Sequence, residues 1–168
     1  MAITERKLDD MKKILTALLV LSLLLLAVGC GSTTYKNDVA VNTLADTAIT
    51  ALNDDKEYST AESDFLDSYF AKPDYVTESV VRFSTDGNDL NEFGIYHVTD
   101  GNAEAMKTHL SKYVTDFYDL YNANYLPEET PKLRDAEVKV FGNYVVYAML
   151  NETDRATLFT SIEQALKQ

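Results

Sequence analysis

The apolar positions change period several times along the chain, and each change marks an element. An unbroken apolar run from Ile14 to Val28 comes first, directly behind Met11-Lys12-Lys13. From Asp38, the spacing of Val39, Val41, Leu44, Ala48 and Leu52 predicts an amphipathic helix to about Asn53, and Ser63 to Phe70 predicts a short second one that Pro73 closes. The period then shortens. Glu78 to Ser84 and Glu92 to Thr99 are β-branched and aromatic on either side of Asp86-Gly87-Asn88-Asp89, which predicts a hairpin. Asp100-Gly101-Asn102 opens the strongest helical pattern, in which Met106, Leu110, Tyr113, Phe117 and Leu120 share a face widened by Val114 and Tyr121, as far as about Tyr125. Pro127 and Pro131 bracket an exposed loop. Two more strands, Ala136 to Phe141 and Tyr144 to Leu150, meet at Gly142-Asn143, a pair suited to positive φ. A last helix from about Thr153 aligns Leu158, Phe159, Ile162, Ala165 and Leu166.

The fold these elements predict is α+β: a four-stranded antiparallel sheet made of two hairpin-helix units, preceded by two N-terminal helices. The long helix and the C-terminal helix are expected on one face of the sheet, with the N-terminal helices available to cover the other. Residues 38–168 form a single domain in this reading, since 168 residues with 46% hydrophobic side chains supply material for one core.

The first 29 residues are a different kind of segment. Lys12 and Lys13, the 15-residue apolar run and Leu26-Ala27-Val28-Gly29-Cys30 reproduce the order of a positive region, a hydrophobic region and small residues before a cleavage point. The run is shorter than the ~20 residues a membrane-spanning helix needs. Glu5, Asp9 and Asp10 dilute the positive charge ahead of it, so translation starting at Met11 would give the cleaner signal. The segment closely resembles a bacterial lipoprotein signal with its lipobox. That resemblance implies that the Cys30 thiol receives a diacylglycerol and that cleavage before it leaves Cys30 as the first mature residue. Residues 30–37 are then the lipidated cysteine and a short polar linker, and the expected location is the extracytoplasmic face of the cell membrane.

Composition removes several kinds of chemistry. Beyond residue 29 the chain carries 11 basic and 24 acidic groups, a net charge of −13 (11 − 24), which repels nucleic acid. With Cys30 consumed by lipid, residues 31–168 hold no other cysteine, so the mature domain has no disulfide, thiol nucleophile or cysteine-zinc site. No Gly-x-Ser-x-Gly elbow occurs. The only histidines are His97, on a strand, and His109, on the long helix; if strand and helix pack together, the two and Asp116 make a conceivable metal site, outweighed by the expectation of hydrogen-bonded histidines and no metal. The turn Asp86-Gly87-Asn88-Asp89 with Glu92 has the composition of a calcium loop, but Leu90 occupies the fifth position, where an oxygen ligand is required.

Two stretches, Ile95-Tyr96-His97-Val98-Thr99-Asp100-Gly101-Asn102-Ala103-Glu104-Ala105 and Val140-Phe141-Gly142-Asn143-Tyr144-Val145-Val146-Tyr147-Ala148-Met149, resemble the DUF4358 family, small lipoproteins of mainly Gram-positive bacteria. The resemblance implies the fold and an envelope location. It carries over no catalytic residue.

What remains is an unusual aromatic population of 11 Tyr and no Trp. Tyr118, Tyr121 and Tyr125 stand at three- and four-residue spacing along the edge of the long helix's apolar face, and they are the candidate binding residues. The expectation is a lipid-anchored, non-catalytic binding or accessory protein of the cell envelope, with no cofactor. Its partners are the membrane, through the lipid anchor, and a membrane-proximal protein or envelope glycan. The alternative is an envelope enzyme or accessory subunit acting on cell-wall or surface glycans.

Overall fold

Residues 34–61, 72–121 and 124–168 are described in a computed structural model of the chain. The signal segment, Cys30 and the expected helix Ser63–Phe70 lie outside the described residues.

The element order is α1 (Val41–Leu52), β1 (Tyr58–Thr60), β2 (Val76–Ser84), β3 (Glu92–Val98), α2 (Ala103–Leu120), α3 (Thr130–Arg134), β4 (Glu137–Phe141), β5 (Tyr144–Met149) and α4 (Glu152–Leu166). The strands form one antiparallel sheet in the order β1-β2-β3-β5-β4. Both expected hairpins are present, and they join along β3 and β5, where Ile95 lies opposite Val146. The sheet has five strands rather than four. Edge strand β1 is three residues long, too short for periodicity to reveal, and is held by the Tyr58 ring set edge-on to Phe93 at 6.1 Å.

Helices cover both faces of the sheet, but not in the expected arrangement. Leu158, Phe159, Ile162 and Leu166 of α4 pack with Val41, Leu44, Ala45 and Ala48 of α1 on the face presenting Phe93, Ile95, Val146 and Ala148. Met106, Leu110 and Val114 of α2 pack with Leu133 of α3 on the opposite face, against Tyr96, Val98, Val145, Tyr147 and Met149. The long and C-terminal helices therefore lie on opposite sides. The physical reason is visible in β5, buried at all six positions, so that neither face is polar and either can receive a helix.

Three further expectations need correction. The segment between Pro127 and Pro131 is not wholly loop, because Pro131 opens the short helix α3, whose Leu133 reaches the core. Helix α2 ends at Leu120, and Leu120, expected on the apolar face, is 87% exposed because the helix runs past the sheet. Residues 35 and 36, expected in the linker, belong to the domain. Tyr35 bridges to Lys167 in antiparallel fashion, Lys36 N donates to Leu166 O at 2.8 Å, and the Tyr35 ring packs edge-on against Phe141 at 5.9 Å.

These contacts give the domain two ends. At one, Tyr35, the Gly142-Asn143 turn and the end of α4 come together, and Asn143 reaches Asp100 at the start of α2. At the other lie the β2–β3 turn, the start of β3 and the end of α2. An 18-residue helix such as α2 spans roughly 27 Å between them at 1.5 Å per residue.

Candidate functional site

The end of the sheet away from Tyr35 carries a cleft of about 320 Å3, lined by Phe83, Leu90, Phe117 and Met149 among apolar residues and by Asn91, Glu92 and Tyr113 among polar ones. Its geometry starts with Glu92, the one carboxylate inside the otherwise apolar strand β3. Tyr113, one helical turn before the end of the α2 core stripe, donates to Glu92 Oε1 at 2.8 Å, and Tyr147 on β5 donates to the same oxygen at 2.7 Å. Burial pushes the Glu92 carboxyl above the usual carboxylate range, against the two tyrosine hydrogen bonds, which favour the ionised form. Burial, together with the nearby Glu92 charge, likewise raises Tyr96, Tyr113 and Tyr147 above the ordinary phenol value.

Gly94 makes this packing possible. Gly94 faces Tyr147 across β3 and β5, and a Cβ there would lie 2.3 Å from Tyr147 Cε1, so the ring occupies the space a side chain would take. Tyr147 also sets its ring edge-on to Tyr113 at 5.4 Å.

The β2–β3 turn forms the rim of the cleft. Asp86 Oδ1 accepts from Asn88 N at 2.9 Å, and Asp89 Oδ1 accepts from Asn91 N at 3.0 Å, so these carboxylates shape the turn. Asp89 also lies 2.7 Å from Lys132 Nζ and 2.5 Å from Lys56 Nζ, while Lys132 bridges to Glu129 at 2.6 Å and Glu129 accepts from Leu90 N at 2.8 Å. Burial alone would raise the Asp89 carboxyl, but the hydrogen bonds from Lys132 and Lys56 outweigh it and hold the group at about 2. Behind the rim, Tyr58 OH donates to Asp54 Oδ2 at 3.1 Å and accepts from Asn91 Nδ2 at 3.2 Å. A phenol has one hydrogen to give, so this chain fixes the orientation of the Asn91 amide. Asn91 Oδ1, in a residue only 1% exposed, is left without a hydrogen-bond partner.

The sequence-predicted residues fall elsewhere and are not brought together as a row. Tyr121 adopts an extended conformation just beyond α2, its ring packs on the core, and its hydroxyl donates to Leu126 O at 3.1 Å. Tyr118 is 36% exposed and Tyr125 69%. The helical edge expected for all three breaks because the helix stops before Tyr121. His97 and His109 sit on opposite sides of the sheet. His97, on the α1 side, holds Thr77 Oγ1 at 2.7 Å and Asn37 Oδ1 at 2.9 Å and lies 4.6 Å from the Tyr144 ring, whereas His109 is on α2. Among the described residues no group of three or more His, Cys, Asp or Glu is placed to hold a metal ion, and no helix is long and apolar enough to cross a membrane.

Glu92 and Asn91 were the residues that sequence reasoning undervalued. The available signal was a carboxylate at the first position of an apolar strand, four residues from Tyr96 on β3 and with Tyr147 on the next hairpin.

Residues 51–150 match DUF4358, a domain of unknown function. No curated protein and no solved structure matches the chain.

Proposed function

We propose, for a chain that belongs to the DUF4358 family, a non-catalytic binding role in the cell envelope, performed by a domain held to the membrane through lipidated Cys30. The observation that carries this reading is the distribution of exposed large apolar side chains. Among the described residues, those standing out are Tyr118, Leu120 and Tyr125, all within one eight-residue stretch. Large exposed apolar residues scattered singly need no explanation, but three gathered at one end of a fold are the pattern of a contact surface.

The partner this surface suits is a protein with basic loops. The net charge of −13 beyond residue 29 opposes docking on anionic polymers and accelerates encounter with a basic surface. Tyr118 and Tyr125 can anchor such a contact because tyrosine buries much area with few rotatable bonds. Tyr121 is removed from the candidate set, since its ring is already used by the core.

The test is crosslinking in intact membranes, comparing the native protein with a Tyr118→Ser, Tyr125→Ser double variant. A specific crosslinked protein should be lost in the variant, and should be weakened by raised salt in the native protein, while the melting temperature stays nearly constant. An unchanged crosslink would place the contact elsewhere, and a large loss of stability would show that the rings belong to the core.

A glycan-cleaving enzyme is the second reading, and one observation favours it: Glu92 and Asp89 line one cleft with their carboxyls pushed in opposite directions. Both groups are engaged, however, Glu92 Oε1 by two tyrosines and Asp89 by two lysines, and the binding role is preferred for that reason. Hydrolysis of peptidoglycan fragments by the purified domain, abolished by Glu92→Gln, would reverse the preference.

A further inference from the structure

The cleft beside Glu92 has a chemical character that the binding surface at Tyr118 does not explain. Its lining contains three carboxylates, those of Asp86, Asp89 and Glu92, and no lysine, arginine or histidine. The lysines that neutralise Asp89 are not among the lining residues. Independently of those charges, Asn91 presents a buried acceptor without a donor: its Oδ1 is unpartnered, and the Tyr58–Asp54 chain prevents the amide from turning over to cure this. A buried acceptor left unsatisfied costs about 1–3 kcal/mol, a cost that a donor supplied from outside removes.

The remaining walls are apolar or aromatic, from Phe83, Leu90, Phe117 and Met149, with the Tyr113 ring beside them. Aromatic faces attract cations, and the volume of about 320 Å3 is at the lower end of the range of small-molecule sites. An anion would meet three carboxylates here. A neutral apolar ligand would leave Glu92 and Asn91 Oδ1 facing it unpaired.

We propose that this cleft binds a small organic ammonium with a single-ring body, its N–H groups directed to Glu92 and Asn91 Oδ1 and its ring against Phe83, Leu90 and Phe117. The charged nitrogen meets the acid at the floor, and Tyr113 and Tyr147 hold that acid in place from α2 and β5. The site lies apart from Cys30 and does not depend on lipidation.

Three probes of nearly equal shape test the proposal on the soluble domain: phenethylammonium, 2-phenylethanol and phenylacetate, each followed by NMR titration at neutral pH. Phenethylammonium should give saturable shifts at the amides of Leu90, Asn91, Glu92 and Phe117. The alcohol should bind at least about tenfold more weakly, and phenylacetate should give no saturable shift. Glu92→Gln, which keeps a carbonyl acceptor for the tyrosines, should lower phenethylammonium affinity by about tenfold. Equal binding of the alcohol, saturable binding of phenylacetate, or no saturable shift with phenethylammonium at low-millimolar concentration would each overturn it. The comparison of the three probes uses the native sequence, so the outcome holds even if the Glu92 variant folds poorly.

Discussion

At the residue scale, the two ends of the short segment Asp89 to Glu92 respond to protons in opposite ways. Asp89 is held at about 2 in the folded protein and titrates near 3.9 when unfolded. The folded state therefore binds its proton less readily, and the group contributes stability that is full above the unfolded value and is lost as pH falls toward about 2. Glu92 has the reverse sign, because burial raises its folded value. Its contribution is present at acid pH and declines as pH rises through that raised value. Thermal melts between pH 2 and pH 5 should accordingly show a steep acid limb that Asp89→Asn flattens. At neutral pH the same substitution should cost about 3 kcal/mol, because it leaves Lys132, only 11% exposed at its side chain, without one of its two carboxylate partners. An acid limb of the same slope in the variant would assign acid unfolding to other carboxylates.

At the element scale, the β4–β5 hairpin shows what periodicity and turn chemistry can specify. Val140 faces Val145 and Phe141 faces Tyr144, as the two-residue connection requires. Of the two turn residues only Gly142 has positive φ, at 61°, and a Cβ added there would also lie 3.2 Å from Tyr35 Cβ. Gly142→Ala should therefore lower stability by about 1–2 kcal/mol, measured by denaturant unfolding, and should loosen Tyr35 from the hairpin. The four longer strands and three longer helices were legible in the sequence because each carries enough periodic residues to show its exposed or buried face. What was not legible follows from the same physics. Strand β1 is too short to have a period, and the Pro131 that starts α3 is also a residue of loops. The side of the sheet chosen by α2 is encoded by no residue of β5, where every position is buried. The cleft was harder still, because Glu92, Tyr113 and Tyr147 come from three elements and only the folded register brings the two hydroxyls to one carboxylate oxygen.

At the scale of the whole molecule, the position of Tyr35 matters more than the length of the linker before it. Residues 31–37, seven in number, would reach at most ~25 Å if fully extended, but Tyr35 is already anchored to the end of α4, so the span from Cys30 to Tyr35 reaches at most ~18 Å. A lipid on Cys30 would then hold the Tyr35–Gly142 end of the domain near the bilayer. It would leave the cleft and the exposed Tyr118 and Leu120, roughly 27 Å away along α2, directed outward. This differs from the expectation of a contact surface against the membrane, and it widens the partners within reach to those standing above the lipid. Because residues 31–168 contain no cysteine, single labels can be introduced without interference. Gln168→Cys marks the Tyr35 end, where Gln168 N donates to Thr34 O at 3.3 Å, and Asn88→Cys marks the exposed β2–β3 turn at the other. With the lipidated protein in vesicles carrying a headgroup acceptor dye, energy transfer should be clearly higher from the label at 168 than from the label at 88, and Cys30→Ala should abolish transfer from both. Equal transfer from the two labels would mean that the domain lies flat on the bilayer, with the Tyr118 surface and the mouth of the cleft against lipid.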